Sequence, residues 1–202
     1  METILYEDDI PEELIRPGDI AIDTETTGLN LGRDKLCLLQ LSYGKGDATL
    51  VKFNNNYTAK NLKKLIFDKT RLKIFHFARF DIAMIKKHLG EDVENIFCTK
   101  IASRLVRTYT DSHGLKEICK ELLGVQISKA QQSTYWAADT LSKEQLDYAA
   151  SDVLYLHDLK KRLEYMLIRE NRDEIASKIF NFLPVRANLD LQGWENLDIF
   201  AH

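Results

Sequence analysis

Proline occurs only three times in 202 residues, at Pro11, Pro17 and Pro184. Most of the chain therefore carries nothing that would interrupt a helix or a central strand. No Gly/Ser-rich linker, repeat or low-complexity tract is present either. One domain over residues 1–202 is expected, with a core at about 18–165 and a C-terminal helix and apolar tail over 166–202. Cysteine is equally sparse. Cys37, Cys98 and Cys119 are odd in number, far apart and form no C-x-x-C pair, which argues against a disulfide frame and for reduced thiols. No apolar run approaches the ~18 residues of a membrane helix. The opening METILYEDDIPEEL is acidic and lacks the basic-then-apolar start of a secretory leader, so a cytoplasmic protein is expected. Positive charge is short as well: net charge is −3. That argues against a broad electrostatic grip on long nucleic acid, which needs many Lys/Arg–phosphate contacts. A short anionic ligand held by a few local groups remains compatible.

Hydrophobic residues make up 45% of the chain and charged ones 29%, enough for a core and for solubility. IAIDTET (20–26), KLCLLQLSY (35–43) and ATLVKF (48–53) read as three strands, separated by glycine-bearing turns. The gaps are short, which predicts an antiparallel meander. The period then changes. NLKKLIFD (61–68) reads as a helix and LKIFHF (72–77) as a strand. ARFDIAMIKKHLG (78–90) is a helix stopped by Gly90, and NIFCTKIASRLV (95–106) a strand running into a helix. HGLKEICKELLG (113–124) is a helix closed by Gly124. Ser142-Lys143-Glu144-Gln145 is a capping-box signature. It opens what reads as the longest helix, with an apolar face running from Leu146 to Leu163. Strands first and β-α-β alternation afterwards imply a mixed sheet covered by helices.

Asp23 and Glu25 lie two apart on the first of these strands and so project from one face. Two nearby anions repel, and no Lys or Arg lies within AIDTETTGL to offset them. A divalent metal answers this, because hard cations favour carboxylate oxygen. Taken alone, D-x-E also fits two solvated acids feeding a turn. Asp81 follows early in the helix after LKIFHF, and Asp152 follows Tyr148 by one helical turn in LDYAASDVLYLHDL. An aspartate among alanines and leucines needs a partner.

D-x-E on a first strand, D early in a later helix, and Y-x-x-x-D on a late helix resemble the DEDDy 3′-to-5′ exonucleases of the ribonuclease D-like group. FHFARFD, FCTKIAS, RTYTD, YAASDVLYLHDL and FLPVRANLDLQGW further resemble the compact nanoRNase C subgroup of alphaproteobacteria. The resemblance implies an α/β, ribonuclease H-like fold with a five-stranded mixed sheet flanked by helices. It implies a metal-dependent 3′-5′ exoribonuclease that hydrolyses short single-stranded RNA, dinucleotides above all. It also implies two divalent ions, Mg²⁺ or Mn²⁺, held by Asp23, Glu25, Asp81 and Asp152, with Tyr148 orienting the attacking water. The stretch after Asp158 is too short for the extra helical domains of full-length ribonuclease D. In QISKAQQSTYW, Lys129, Gln132 and Trp136 match a K-x-x-Q-x-S-D-W pattern, whereas Thr134 and Tyr135 depart from it.

For the substrate, Thr24 and Thr26 are candidates to meet the 3′ hydroxyl, and Leu29 to wedge against a base, against the plainer alternative of core filling. His76 and Arg79 are candidates to reach the substrate, Arg79 by bidentate phosphate contact, against the plainer alternatives of a core histidine and a surface ion pair. Gln132 is a further substrate-binding candidate. Lys100, with Arg104 and Arg107, reads either as a phosphate patch or as a solvated helix face. The apolar tail from Phe180 to Phe200 points to packing on the domain or on another subunit, and a homo-oligomer is expected. Two readings of longer substrates stand beside this one: trimming of tRNA 3′ ends and single-stranded DNA exonuclease activity. A haloacid-dehalogenase-type phosphatase is disfavoured, because Glu25 is followed by Thr-Thr-Gly and the late motif carries tyrosine. A catalytically silent nucleic-acid-binding relative is disfavoured by the complete set of acids.

Overall fold

The computed structural model describes residues 2–128 and 134–201. A six-stranded mixed sheet forms its centre, in the order β1-β4-β3-β2-β5-β6. The strands are β1 (Glu2–Glu7), β2 (Ile20–Thr26), β3 (Leu36–Ser42), β4 (Asp47–Lys52), β5 (Lys73–Phe75) and β6 (Ile96–Cys98). The expected meander is present: β2 pairs antiparallel with β3, and β3 antiparallel with β4. β5 and β6 extend the sheet in parallel from β2. Seven helices surround it among the described residues: α1 (Lys60–Ile66), α2 (Ala78–Leu89), α3 (Thr99–Val106), α4 (Leu115–Leu123), α5 (Lys143–Leu154), α6 (Leu156–Arg169) and α7 (Asp173–Leu189).

The parity of β3 and β4 shows how both faces are covered. Leu39, Leu41 and Val51 join a large core with Leu62 and Leu65 of α1 and Ile82 and Ile85 of α2. Leu38 and Leu50, of opposite parity, join Ala149 of α5 with Trp136 and Leu141 in a second, smaller cluster. Alternate residues on a strand face opposite ways, so α5 crosses the face that carries Asp23 and Glu25. Its start is the expected capping box, with Ser142 and Gln145 bonding reciprocally. Gly90 and Gly124 end α2 and α4 in left-handed conformations, as their positions suggest.

Three expectations are corrected. The sheet has six strands, not five, because ETILYE forms β1, parallel to β4. This edge strand is half-exposed at Ile4 and Leu5, so it lacks the apolar alternation that marks an inner strand. The chain leaving it docks α1: Asp9 accepts from the Asn61 and Leu62 amides at 2.9 and 2.8 Å, serving a helix whose own N-cap offers no side-chain bond. The apolar run from Leu146 to Leu163 is two helices, broken at Tyr155. The longest helix described is instead α7, with 17 residues.

Candidate active site

β2 pairs with β5 only through Ile20 and Ala21. Beyond them the two strands part, and the second half of β2 lines the edge of a cleft. Its register against β3 slips between Glu25 and Thr26, a bulge of the kind that re-aims side chains beside active sites. The cleft holds about 350 Å³ and is lined by Asp23, Glu25, Asp81, Tyr148 and Asp152, together with Thr24, Thr26, Leu29, His76 and Lys100. A larger cavity, about 600 Å³, lies by Lys52, Tyr57 and Trp136. It contains none of the four acids.

Carboxylate oxygens of Asp23, Glu25 and Asp152 all lie within 4.8 Å of one another. Asp81 enters from the first turn of α2 and accepts a 2.7 Å bond from the Thr24 hydroxyl. Burial, with repulsion from Asp152 and Asp81, pushes the Glu25 carboxyl up to about 9. Burial and repulsion from Asp81, Asp152 and Glu25 hold Asp23 well above its ordinary range. Burial raises Asp81 to about 7 against the opposing Thr24 bond, and Asp152 to about 7 against its bond from Tyr148. No ion pair among the described residues reaches any of the four. Such a set is strained as anions and relieved by a hard cation, so the donor chemistry fits Mg²⁺ or Mn²⁺. Tyr148, one turn before Asp152, donates its phenol to that carboxylate, and burial raises its own pKa. It is a hydrogen-bond donor at neutral pH, not a base.

The loop after β2 is tied down by Asp34, which accepts from the Asn30 amide at 2.9 Å. A Cβ at Gly28 would stand 2.5 Å from the same carboxylate, so any larger residue would push Asp34 out of its place in this turn. Thr26 donates to the Gly28 carbonyl at 2.6 Å. The result is a Leu29 side chain that is 82% exposed at the cleft, which excludes core filling. His76 shares a 2.9 Å bond with Thr99 and faces the cleft.

Arg79 is not in the cleft. Its guanidinium grips Asp190 at 2.5 and 2.8 Å, because α2 turns position 79 away from position 81 and toward the C-terminal segment. Arg107 is buried and bonded to Glu121, Ser103 and the Ser112 carbonyl, so it holds a loop together and offers nothing to a phosphate. Lys129 and Gln132 lie outside the described residues. Several lining residues were not singled out from sequence, among them Lys116 and Phe77. Phe77 caps α2 with φ +74, uncommon for a bulky residue. Its exposed ring lies under the Lys100 ammonium, 4.2 Å from the centroid. Nothing in FHFARFD signals that conformation.

Comparison with known proteins agrees with this geometry. Residues 3–168 match the family model described as 3′-5′ exonuclease. Ribonuclease D of Bartonella henselae is 34% identical over 163 residues, which are 78% of this chain and 40% of that protein. The chain thus spans about two fifths of this curated relative. A solved structure of Brucella melitensis NrnC bound to pGG is 52% identical, covers 100% of this chain and 99% of its own, and superposes with a TM-score of 0.96. Brucella melitensis NrnC with bound Mg²⁺ is 51% identical with full coverage of both chains and a TM-score of 0.95. With its three acidic motifs gathered in one cleft, the chain belongs to the 3′-5′ exonuclease family.

Proposed function

We propose that this protein is a metal-dependent 3′-5′ exoribonuclease whose preferred substrates are very short RNAs, dinucleotides foremost. The observation that carries the reading is the set of four carboxylates converging, without a cationic partner from the described chain, on the floor of a small cleft. Support for the substrate comes from the pGG-bound NrnC, similar over its whole length, and from the cleft's size, which suits one or two nucleotides.

Asp23, Glu25, Asp81 and Asp152 would hold two divalent ions, Mg²⁺ or Mn²⁺. Such ions supply a water acidic enough to attack at neutral pH and neutralise charge on the phosphoryl group. The chain's own part is positional. The Tyr148 phenol stays protonated and aims the water. Thr24 holds the Asp81 carboxylate in one rotamer. Leu29, held outward on the loop that Asp34 ties down, packs on the terminal base, since apolar contact is tolerant of sequence. His76 and Lys100 stand where the phosphate backbone would pass.

A time course on 5′-labelled RNAs of two to ten nucleotides, with Mn²⁺ and with chelator, tests the reading. Rapid conversion of dinucleotides to mononucleotides only with metal is expected. Equal rates across lengths would favour trimming of longer RNA instead. Tyr148→Phe should lower turnover about a hundredfold while leaving Mn²⁺ binding, measured by calorimetry, within about twofold.

A homo-oligomer belongs to the same proposal. Phe180 and Leu183 pack back on the domain, but Phe182, Val185, Trp194, Leu197, Ile199 and Phe200 remain exposed near the end of the chain. That much apolar surface in one region fits contact with another copy. Light scattering of the purified protein should report a mass above that of one chain.

A further inference from the structure

Gln40 lies in the middle of β3, fully buried, and both polar atoms of its amide lack a hydrogen-bond partner. Buried amides in folded proteins are nearly always bonded, so an orphaned pair of this kind asks for a reason. The sheet register supplies one. Gln40 stands directly opposite Asp23 on β2, and opposed residues of an antiparallel pair project from the same face with Cβ atoms about 5 Å apart. Few other side chains of that face offer an acceptor; the indole N–H of Trp136, packed with Leu38 and Leu50, also lacks a partner, but it only donates and so has nothing for the amide N–H. Leu50 is opposite on β4 and Leu38 is two residues along. The Ser42 hydroxyl accepts from the Gly44 amide. Ala149 of α5 closes the layer together with Leu38 and Leu50. Asp23 is the directly opposed acceptor, with Glu25 diagonal to Gln40 on the same face.

We propose that Gln40 is a positioning residue for the reaction: its amide N–H donates to the Asp23 carboxylate when that group holds a cation, and fixes the rotamer in which Asp23 faces the cleft. This rests on the assignment of Asp23 to the metal site made above. A ligating carboxylate is ordinarily held by an outer hydrogen bond, and loss of such a partner typically costs 10–100-fold in metal affinity or activity. Gln40 suits that task. It is uncharged, so it adds no competing charge to a crowded acidic cluster. It also comes from a central strand with neighbours on both sides.

The test compares Gln40→Met, which keeps the length and removes the donor, with Gln40→Leu, which repeats the residue type around it, and with Gln40→Asn, which keeps an amide one methylene short. Mn²⁺ binding is measured by calorimetry, melting temperature in chelator, and turnover on a dinucleotide. Expected for Met or Leu is a melting temperature in chelator equal to or above that of the parent protein. Mn²⁺ affinity should be 10–100-fold weaker, and kcat should fall with KM nearly unchanged; Asn should lie between. A lower melting temperature with unchanged Mn²⁺ affinity in whichever variant folds would overturn the proposal, because the amide would then serve the fold alone. Asp23→Asn is the separate control. If it leaves Mn²⁺ binding intact, the assignment of Asp23 fails, whatever Gln40 does.

Discussion

Asp190 and Asp152 are carboxylates almost removed from water, at 4% and 8% exposure, yet their surroundings are opposite. Asp190 closes α7 and receives two guanidinium groups, from Arg79 at 2.5 and 2.8 Å and from Arg186 at 2.9 Å. Asp152 receives only the neutral phenol of Tyr148 and stands beside two further acids. The first arrangement is complete as the chain folds: its charge is matched by residues the chain itself brings. The second has no such match among the described residues, which is what the proposed metal site would supply. A buried acid with its own arginine serves the fold; a buried cluster without one is the arrangement on which the proposed function rests.

The largest expected effect removes a member of the unmatched cluster. Asp152→Asn keeps the shape of the side chain and deletes one charge. Turnover on a dinucleotide should fall about a thousandfold, beyond the 10–100-fold that loss of an outer partner costs. The melting temperature in chelator should nonetheless rise, because repulsion among the acids is relieved. A variant that loses both activity and stability would erase the contrast drawn here. The same exchange at Asp190 has the opposite sign for stability, since it would strand two cations.

Arg79→Ala attacks the matched pair from its other side. Asp190 would keep Arg186, so the loss is that of hydrogen bonds to a charged group from a partly exposed partner, about 2 kcal/mol. Denaturant unfolding should show that loss, while turnover per folded molecule stays within about twofold, because Arg79 does not line the cleft. A selective loss of turnover with stability intact would return Arg79 to the substrate.

These two regions also differ in how far they could be read without coordinates. Asp23 and Glu25 are two apart on a strand, and Tyr148 and Asp152 four apart on a helix, so local periodicity alone places each pair on one face. The capping box at Ser142 and the glycine stops at 90 and 124 are likewise local. The Arg79–Asp190 bond joins residues 111 apart in sequence, and no spacing encodes it. Arg79 could therefore be read either for phosphate or for an ion pair, and the fold settles it as the latter, with Asp190. Arg107, read as phosphate patch or solvated face, is neither, being buried on Glu121. β1 escaped because an edge strand with one half-exposed face leaves a weak pattern. The break at Tyr155 escaped because the apolar period runs on through it, first against β4 and β2 and then, from Leu156, against the main core. Leu29 was ambiguous in sequence and became clear only once Asp34 was seen to hold its loop outward.

The smallest effect is a dependence on pH that only the unmatched cluster should show. Asp81 and Asp152 have folded values near 7, and Glu25 near 9, above the ~4 of the unfolded chain. Between those limits the folded protein binds more protons than the unfolded one, so in chelator its stability falls as pH rises. The contribution is fully present below pH ~4 and is lost through 7 and 9. Water entering the open cleft screens part of the repulsion, so the expected loss between pH 5 and 8.5 is about 2 kcal/mol and not the larger sum that the separate shifts would suggest. Saturating Mg²⁺ or Mn²⁺ should cancel it, because the bound ion favours the ionised acids. The gain in melting temperature on adding metal should therefore be greater at pH 8.5 than at pH 5. In Asp152→Asn the chelator slope should flatten, and in Arg79→Ala it should persist at lower overall stability. A slope unchanged by metal, or equally steep in both variants, would mean that the acids of the cleft are not what titrates.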